Sequence, residues 1–125
     1  MKLFVLLSGI YVLLVSAGDC GKKNKEEVKY KGRLEIKAIC SNYTISLLEG
    51  SIDGSRIAAS WTDETTKKTY KNVFALGNPC SFPSALAQGD EFYFVIDTAK
   101  AEDCIVCMAY YPKPEKALPI KVLAK

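Results

Sequence analysis

The chain has 125 residues, 49% of them hydrophobic and 25% charged, with 17 basic against 14 acidic residues and no histidine. So balanced a charge argues against a nucleic-acid partner. Without histidine there is no Ser–His or Cys–His nucleophile, no His-ligated metal chemistry and no imidazole general base. Carboxylate chemistry stays open.

The first element in chain order is a secretory signal. Lys2 precedes an apolar run from Leu3 to Val15, too short to span a bilayer, and Val15-Ser16-Ala17 offers small residues at the cleavage positions. Residues 1–17 are expected to be removed. The product is expected to be extracellular, with no membrane insertion after cleavage. Loss of Lys2 takes the net charge from +3 to about +2. The mature chain suffices for one domain, expected over 30–125.

Residues 18–29 form an expected exposed arm. Lys22, Lys23, Lys25, Lys29 and Lys31 are interrupted by Glu26 and Glu27, as on a solvated surface. From Gly32 the pattern becomes two-fold. Leu34, Ile36, Ala38 and Cys40 share one face, and Arg33, Glu35 and Lys37 the other, as in a half-buried antiparallel strand. Ser41-Asn42 turns into a second strand over Tyr43–Leu48. Ile57, Ala59 and Trp61 alternate again, which suits Trp61 to the core. A polar link over 62–68 leads to a strand in which Asn72, Phe74 and Leu76 share a face.

Residues 77–90, GNPCSFPSALAQGD, form a long connection with one helical turn expected at Ser84–Ala87. Such a loop either carries function or crosses between sheets, stapled by Cys80. Glu91–Ile96 is strand-like, residues 97–103 a hairpin loop, and Cys104–Tyr111 its returning strand. A last strand covers Leu118–Leu123, with Pro119 arguing for a sheet edge. About seven short strands at near ten-residue spacing imply an all-β, antiparallel β-sandwich, immunoglobulin-like or transthyretin-like, and stabilised by disulfides.

The five cysteines are Cys20, Cys40, Cys80, Cys104 and Cys107. Outside the cell such residues pair, and an odd number leaves one over. Cys104 and Cys107 belong to a β-branched and aromatic stretch, where residues three apart lie about 10 Å apart on opposite faces. A disulfide needs roughly 4.4 to 6.8 Å between Cα atoms. The pair therefore does not bridge itself, and Cys40–Cys107 with Cys20 or Cys80 to Cys104 is the expected connectivity. No helix start lowers a thiol pKa here, and no second CxxC completes a zinc site. No catalytic residue, metal site or cofactor is expected. The one enzymatic alternative is a thiol oxidoreductase at Cys104/Cys107.

Asn42-Tyr43-Thr44 is an N-glycosylation acceptor at a turn. The acids Asp53, Asp63, Glu64, Asp90, Glu91, Asp97, Glu102 and Asp103 fall mostly in expected turns and match no calcium loop. Phe92, Tyr93, Phe94, Tyr110 and Tyr111 divide between core and a solvent-side aromatic subset.

Tyr30–Cys40, Asn78-Pro-Cys-Ser-Phe-Pro83, Gly89–Phe92, Cys104 and Ala109-Tyr-Tyr-Pro112 together resemble small secreted nematode proteins, some of which have been linked to control of egg laying. The resemblance implies an extracellular regulator of reproduction and carries over no catalytic residue. The terminal cysteine signature of nematode transthyretin-like proteins is not identifiable here. The expected function is a non-enzymatic binding or modulator protein with an extracellular protein partner. The alternative is a carrier of a small hydrophobic ligand held between two sheets beneath the 77–90 loop.

Overall fold

The computed structural model describes residues 28–99 and 110–124. Seven strands follow in order: β1 (Tyr30–Lys37), β2 (Tyr43–Glu49), β3 (Ala58–Thr62), β4 (Thr69–Leu76), β5 (Glu91–Ile96), β6 (Ala117–Leu118) and β7 (Ile120–Val122). All belong to one sheet, with order β3-β4-β2-β1-β5-β7 and β6 paired to β4. The sandwich of two sheets, and with it the immunoglobulin-like or transthyretin-like architecture, is thereby corrected. The domain is all-β, and every pairing is antiparallel except the short parallel β4–β6 match.

One sheet encloses a core because its last segment joins both sides. Ala75 and Leu76 of β4 pair with Ala117 and Leu118, while Phe94, Val95 and Ile96 of β5 pair with Val122, Lys121 and Ile120. Pro119 sits between the two halves and has no N–H to offer either neighbour. The Leu118 carbonyl accepts from Gly77 on the β4 side at 2.9 Å, and the Pro119 carbonyl accepts from Asp97 on the β5 side at 3.0 Å. The edge position expected from Pro119 holds for each half, yet the two halves have different partners. The sheet thus closes into a small barrel, which leaves few bare strand edges.

The barrel interior is a side-chain core. Leu34, Ile45, Phe74 and Phe94 are wholly buried, joined by Phe82, Phe92, Leu118 and Ile120. The rings of Phe82, Phe92, Phe94 and Phe74 form a chain of contacts with centroids 5.7 to 5.9 Å apart. Each buried Phe contributes about 2–3 kcal/mol of hydrophobic stabilisation. Gly32 makes the close packing possible, since a Cβ there would lie 2.9 Å from Phe94 Cε1 and 3.0 Å from Ile45 Cγ2.

The alternation in β1 and β2 follows the expected faces, with Leu34, Ile36 and Ile45 inward. On β2 and β4 the opposite face is buried too, at Thr44, Ser46, Val73 and Ala75. Near this second layer the Ser46 hydroxyl donates to Glu35 Oε1 at 2.8 Å.

Three local expectations change. Cys40 leaves the strand and sits in a 3-10 turn over Ile39–Ser41 with φ 59°. The helical turn expected at Ser84–Ala87 is a simple turn, and the 3-10 turn falls earlier, at Pro79–Ser81, where Pro79 starts it. Trp61 is only half-buried and lies outside the core cluster.

Disulfide stabilisation also needs correction. No disulfide joins two described residues; the described cysteines are Cys40 and Cys80, neither of which is a free titrating thiol. Apolar packing and strand ladders hold the described residues to one another, and neither Cys40 nor Cys80 is without a partner. Cys20, Cys104 and Cys107, with the proposed pairings and the returning strand Cys104–Tyr111 up to Ala109, lie outside the described residues, as does the signal segment.

Candidate functional site

The β3–β4 hairpin projects past the closed part of the barrel and forms one wall of a groove. Its turn is built by Asp63, 2% exposed despite its charge. Asp63 Oδ1 accepts from the Thr65 N–H at 2.9 Å, its own N–H donates to the Lys68 carbonyl, and its carbonyl accepts from Lys67 at 2.8 Å. Lys67 takes φ 65° to close the loop. Hydroxyls of Thr62 and Thr69 meet across the strands at 2.8 Å.

Trp61 and Tyr70 are cross-strand partners, and their rings stack at 5.9 Å with 26° between planes. Lys68 Nζ lies 5.0 Å from the centre of the Tyr70 ring. Burial raises the Tyr70 pKa, and the charges of Glu35 and Asp63 add to the rise. The phenol therefore stays neutral well into the alkaline range.

Tyr110, 82% exposed, donates its hydroxyl to Glu64 Oε1 at 2.6 Å. This bond joins the segment after β5 to the hairpin. It also raises the Tyr110 pKa, because the proton is shared with a carboxylate. Between the walls runs an open groove of about 400 Å³. Ser60, Trp61, Thr62 and Glu64 line one side, and Tyr110, Pro112, Lys113 and Lys116 the other. Glu64 and Glu115 balance Lys113 and Lys116, so the groove has no dominant sign. Its chemistry is a flat aromatic wall beside hydroxyl, carboxylate and ammonium groups. Such a surface grips a partner by stacking and hydrogen bonds.

Of the residues singled out from sequence, Trp61, Asp63, Glu64 and Tyr110 belong to the groove or its hairpin, and the other described ones lie elsewhere. Asn42 sits at the β1–β2 turn, where its Nδ2 donates to the Ile39 carbonyl at 3.0 Å. Asp53 caps its own turn through the Ser55 N–H at 2.8 Å, and Glu91 is held by Lys31 and Arg33. Among the described residues no group of three acids or cysteines is placed to hold a metal ion. Glu102 and Asp103 lie outside the described residues. The loop 77–90 covers one barrel end, with Phe82 against Tyr43 and Phe92. Lys37 Nζ fastens it by donating to the carbonyls of Ser84 and Leu86.

Sequence reasoning missed the groove. Trp61 carries a core-like alternation, and Glu64 and Tyr110 are 46 residues apart. The signal that was visible is the aromatic subset on the solvent side, to which Tyr93, half exposed, and Tyr110 belong.

The fold and groove define the class as a small all-β barrel domain with an aromatic-lined surface cleft. No family model, no curated protein and no solved structure matches the chain. Among the described residues no helix is long and apolar enough to cross a membrane.

Proposed function

We propose that this is a secreted, non-enzymatic binding protein that engages an extracellular protein partner through the groove between β3 and residues 110–116. The observation that carries the reading is Trp61, stacked on Tyr70, in the lining of a groove whose far wall is tied across by Tyr110 and Glu64. Partly exposed tryptophan and tyrosine are the residue types that dominate binding energy at interfaces. About 400 Å³ accommodates a few side chains of a partner's loop rather than a whole folded surface. Secretion rests on the Leu3–Val15 run and the small residues before Gly18. A role in reproduction rests on the resemblance to nematode proteins linked to egg laying.

The carrier alternative placed its ligand between two sheets beneath the 77–90 loop. The described strands form one sheet, and beneath that loop Phe82 and Phe92 already pack on each other at 5.7 Å. The groove reading is therefore preferred.

The test is a binding comparison. Partners crosslinked to the secreted protein in its native fluid are identified, purified and titrated against wild type, Trp61→Ala and Tyr110→Ala. Loss of about tenfold or more in affinity with either substitution is expected. A partner that binds all three equally, yet loses affinity when Tyr93, exposed on β5 and outside the groove lining, is changed to Ala, overturns the groove as the site.

A further inference from the structure

We infer that Asn42 carries an N-linked glycan that covers the loop end of the barrel and leaves the hairpin end of the groove open; the inference rests on the secreted reading. Asn42-Tyr43-Thr44 has the acceptor sequence, and the structure sets Asn42 at the tip of the β1–β2 connection after two left-handed residues, Cys40 and Ser41, with φ 59° and 58°. The Asn42 side chain makes one hydrogen bond, from Nδ2 to the Ile39 carbonyl at 3.0 Å. A side-chain amide has two N–H hydrogens. N-glycosylation replaces one of them. A bond forms from Nδ2 to the anomeric carbon of a lipid-pyrophosphate-linked oligosaccharide, the sugar–phosphate C–O bond breaks with its electron pair leaving on the lipid pyrophosphate, and the displaced proton passes to the medium. The second N–H survives, so the modified amide still has a donor to offer the turn.

Thr44 dates the event. It is 1% exposed in the fold, because β2 pairs on both sides at that level, with Ile36 and Ala75. A transferase that must read the Thr44 hydroxyl meets it before the sheet closes. The finished protein is therefore not an acceptor.

Placement gives the glycan its effect. Ile39, 66% exposed, stands three residues from Asn42 and is shielded by a sugar there. The Asp63–Lys68 turn of the groove lies at the opposite end of β4, which runs antiparallel to β2. Along β2, from Tyr43 to Glu49, the separation is about 20 Å. The glycan thus covers the apolar loop end and leaves accessible the far end of the groove, where Tyr110 meets Glu64.

The full chain is produced in a secreting eukaryotic cell, and protein from medium and cells is weighed by mass spectrometry before and after enzymatic deglycosylation. Wild type and Thr44→Ser, which retains the acceptor sequence, are expected to carry one glycan, and Asn42→Gln none. Folded wild type made without glycans is expected to stay unmodified when mixed with transferase and donor. Wild type recovered from the medium without a glycan overturns this inference and leaves the secreted reading standing. Wild type retained in the cytosol overturns both. Modification of the folded protein overturns the assigned order of folding and transfer.

Discussion

Asn78 does the work of a strand residue with its side chain. Its Nδ2 donates to the Ile120 carbonyl at 2.7 Å and its Oδ1 accepts the Ile120 N–H at 2.9 Å. The amide thereby continues the β4 ladder past Gly77, where the backbone has turned away. Asn78→Ala leaves two part-buried backbone groups without partners and is expected to cost about 2–3 kcal/mol, read as a lower urea midpoint. Gly32→Ala forces a methyl group against Phe94 and Ile45 and is expected to cost about 1–3 kcal/mol in the same measurement. Glu91 supplies a pH dependence. The Arg33 guanidinium, 2.9 Å away, and Lys31 hold its carboxyl below the ordinary 4.5. A depressed carboxyl contributes stability that is complete above its unfolded pKa and is lost as pH falls through the folded value. Urea midpoints should therefore decline below about pH 4.5 in wild type, and less steeply in Glu91→Gln. Because all three side chains are substantially exposed, salt should shrink the difference.

At the scale of elements, the junction of β6 and β7 decides the architecture. Pro119 was legible as a strand irregularity, and the missing N–H does exclude it from a central ladder. What was not legible is that the chain changes partner there. Gly77 permits the crossing, since a Cβ would lie 3.0 Å from both Leu118 C and Pro119 N. Gly77→Ala is expected to speed amide exchange at Ile120 and Ala75, which mark the two sides of closure, more than at Ser60 on the projecting hairpin. The hairpin makes its own prediction. The Glu64 carboxylate keeps the proton on Tyr110, so Glu64→Gln should lower the alkaline titration midpoint of that phenol toward the ordinary 10.0, as followed by ultraviolet absorbance. Most strands were readable because period-two alternation reports one wet and one dry face. Phe92 and Phe94 inward with Tyr93 outward is the clearest case. The reading failed for Trp61, whose alternation continues in sequence after β3 has left the core.

For the whole molecule, the stability of the described barrel centres on one ring. Phe94 is wholly buried, stacks with Tyr30 at 5.4 Å, and touches both Phe74 and Phe92. Phe94→Ala is expected to cost about 3–5 kcal/mol, a large share of the 5–15 kcal/mol typical of a domain. Unfolding should stay a single transition, because every described strand except β3 contributes to the same interior and β3 is paired along β4. Two separable cores, as a sandwich with an independent edge hairpin would have, would instead show in two.

The amino-acid sequence by itself determined the all-β class, most strand positions and the inward face of β1, β2 and β5, because burial of alternate residues is a local, periodic property. It also located the Asn42 acceptor, which needs only three adjacent residues. Whether the strands formed two sheets or one was decided by the tertiary structure. Closure depends on contacts between Gly77, Asn78 and residues 118–120, some 42 positions apart, and no local pattern encodes them. The groove has the same origin. Trp61, Glu64 and Tyr110 are ordinary surface-compatible residues until the folded chain sets the hairpin opposite residues 110–116.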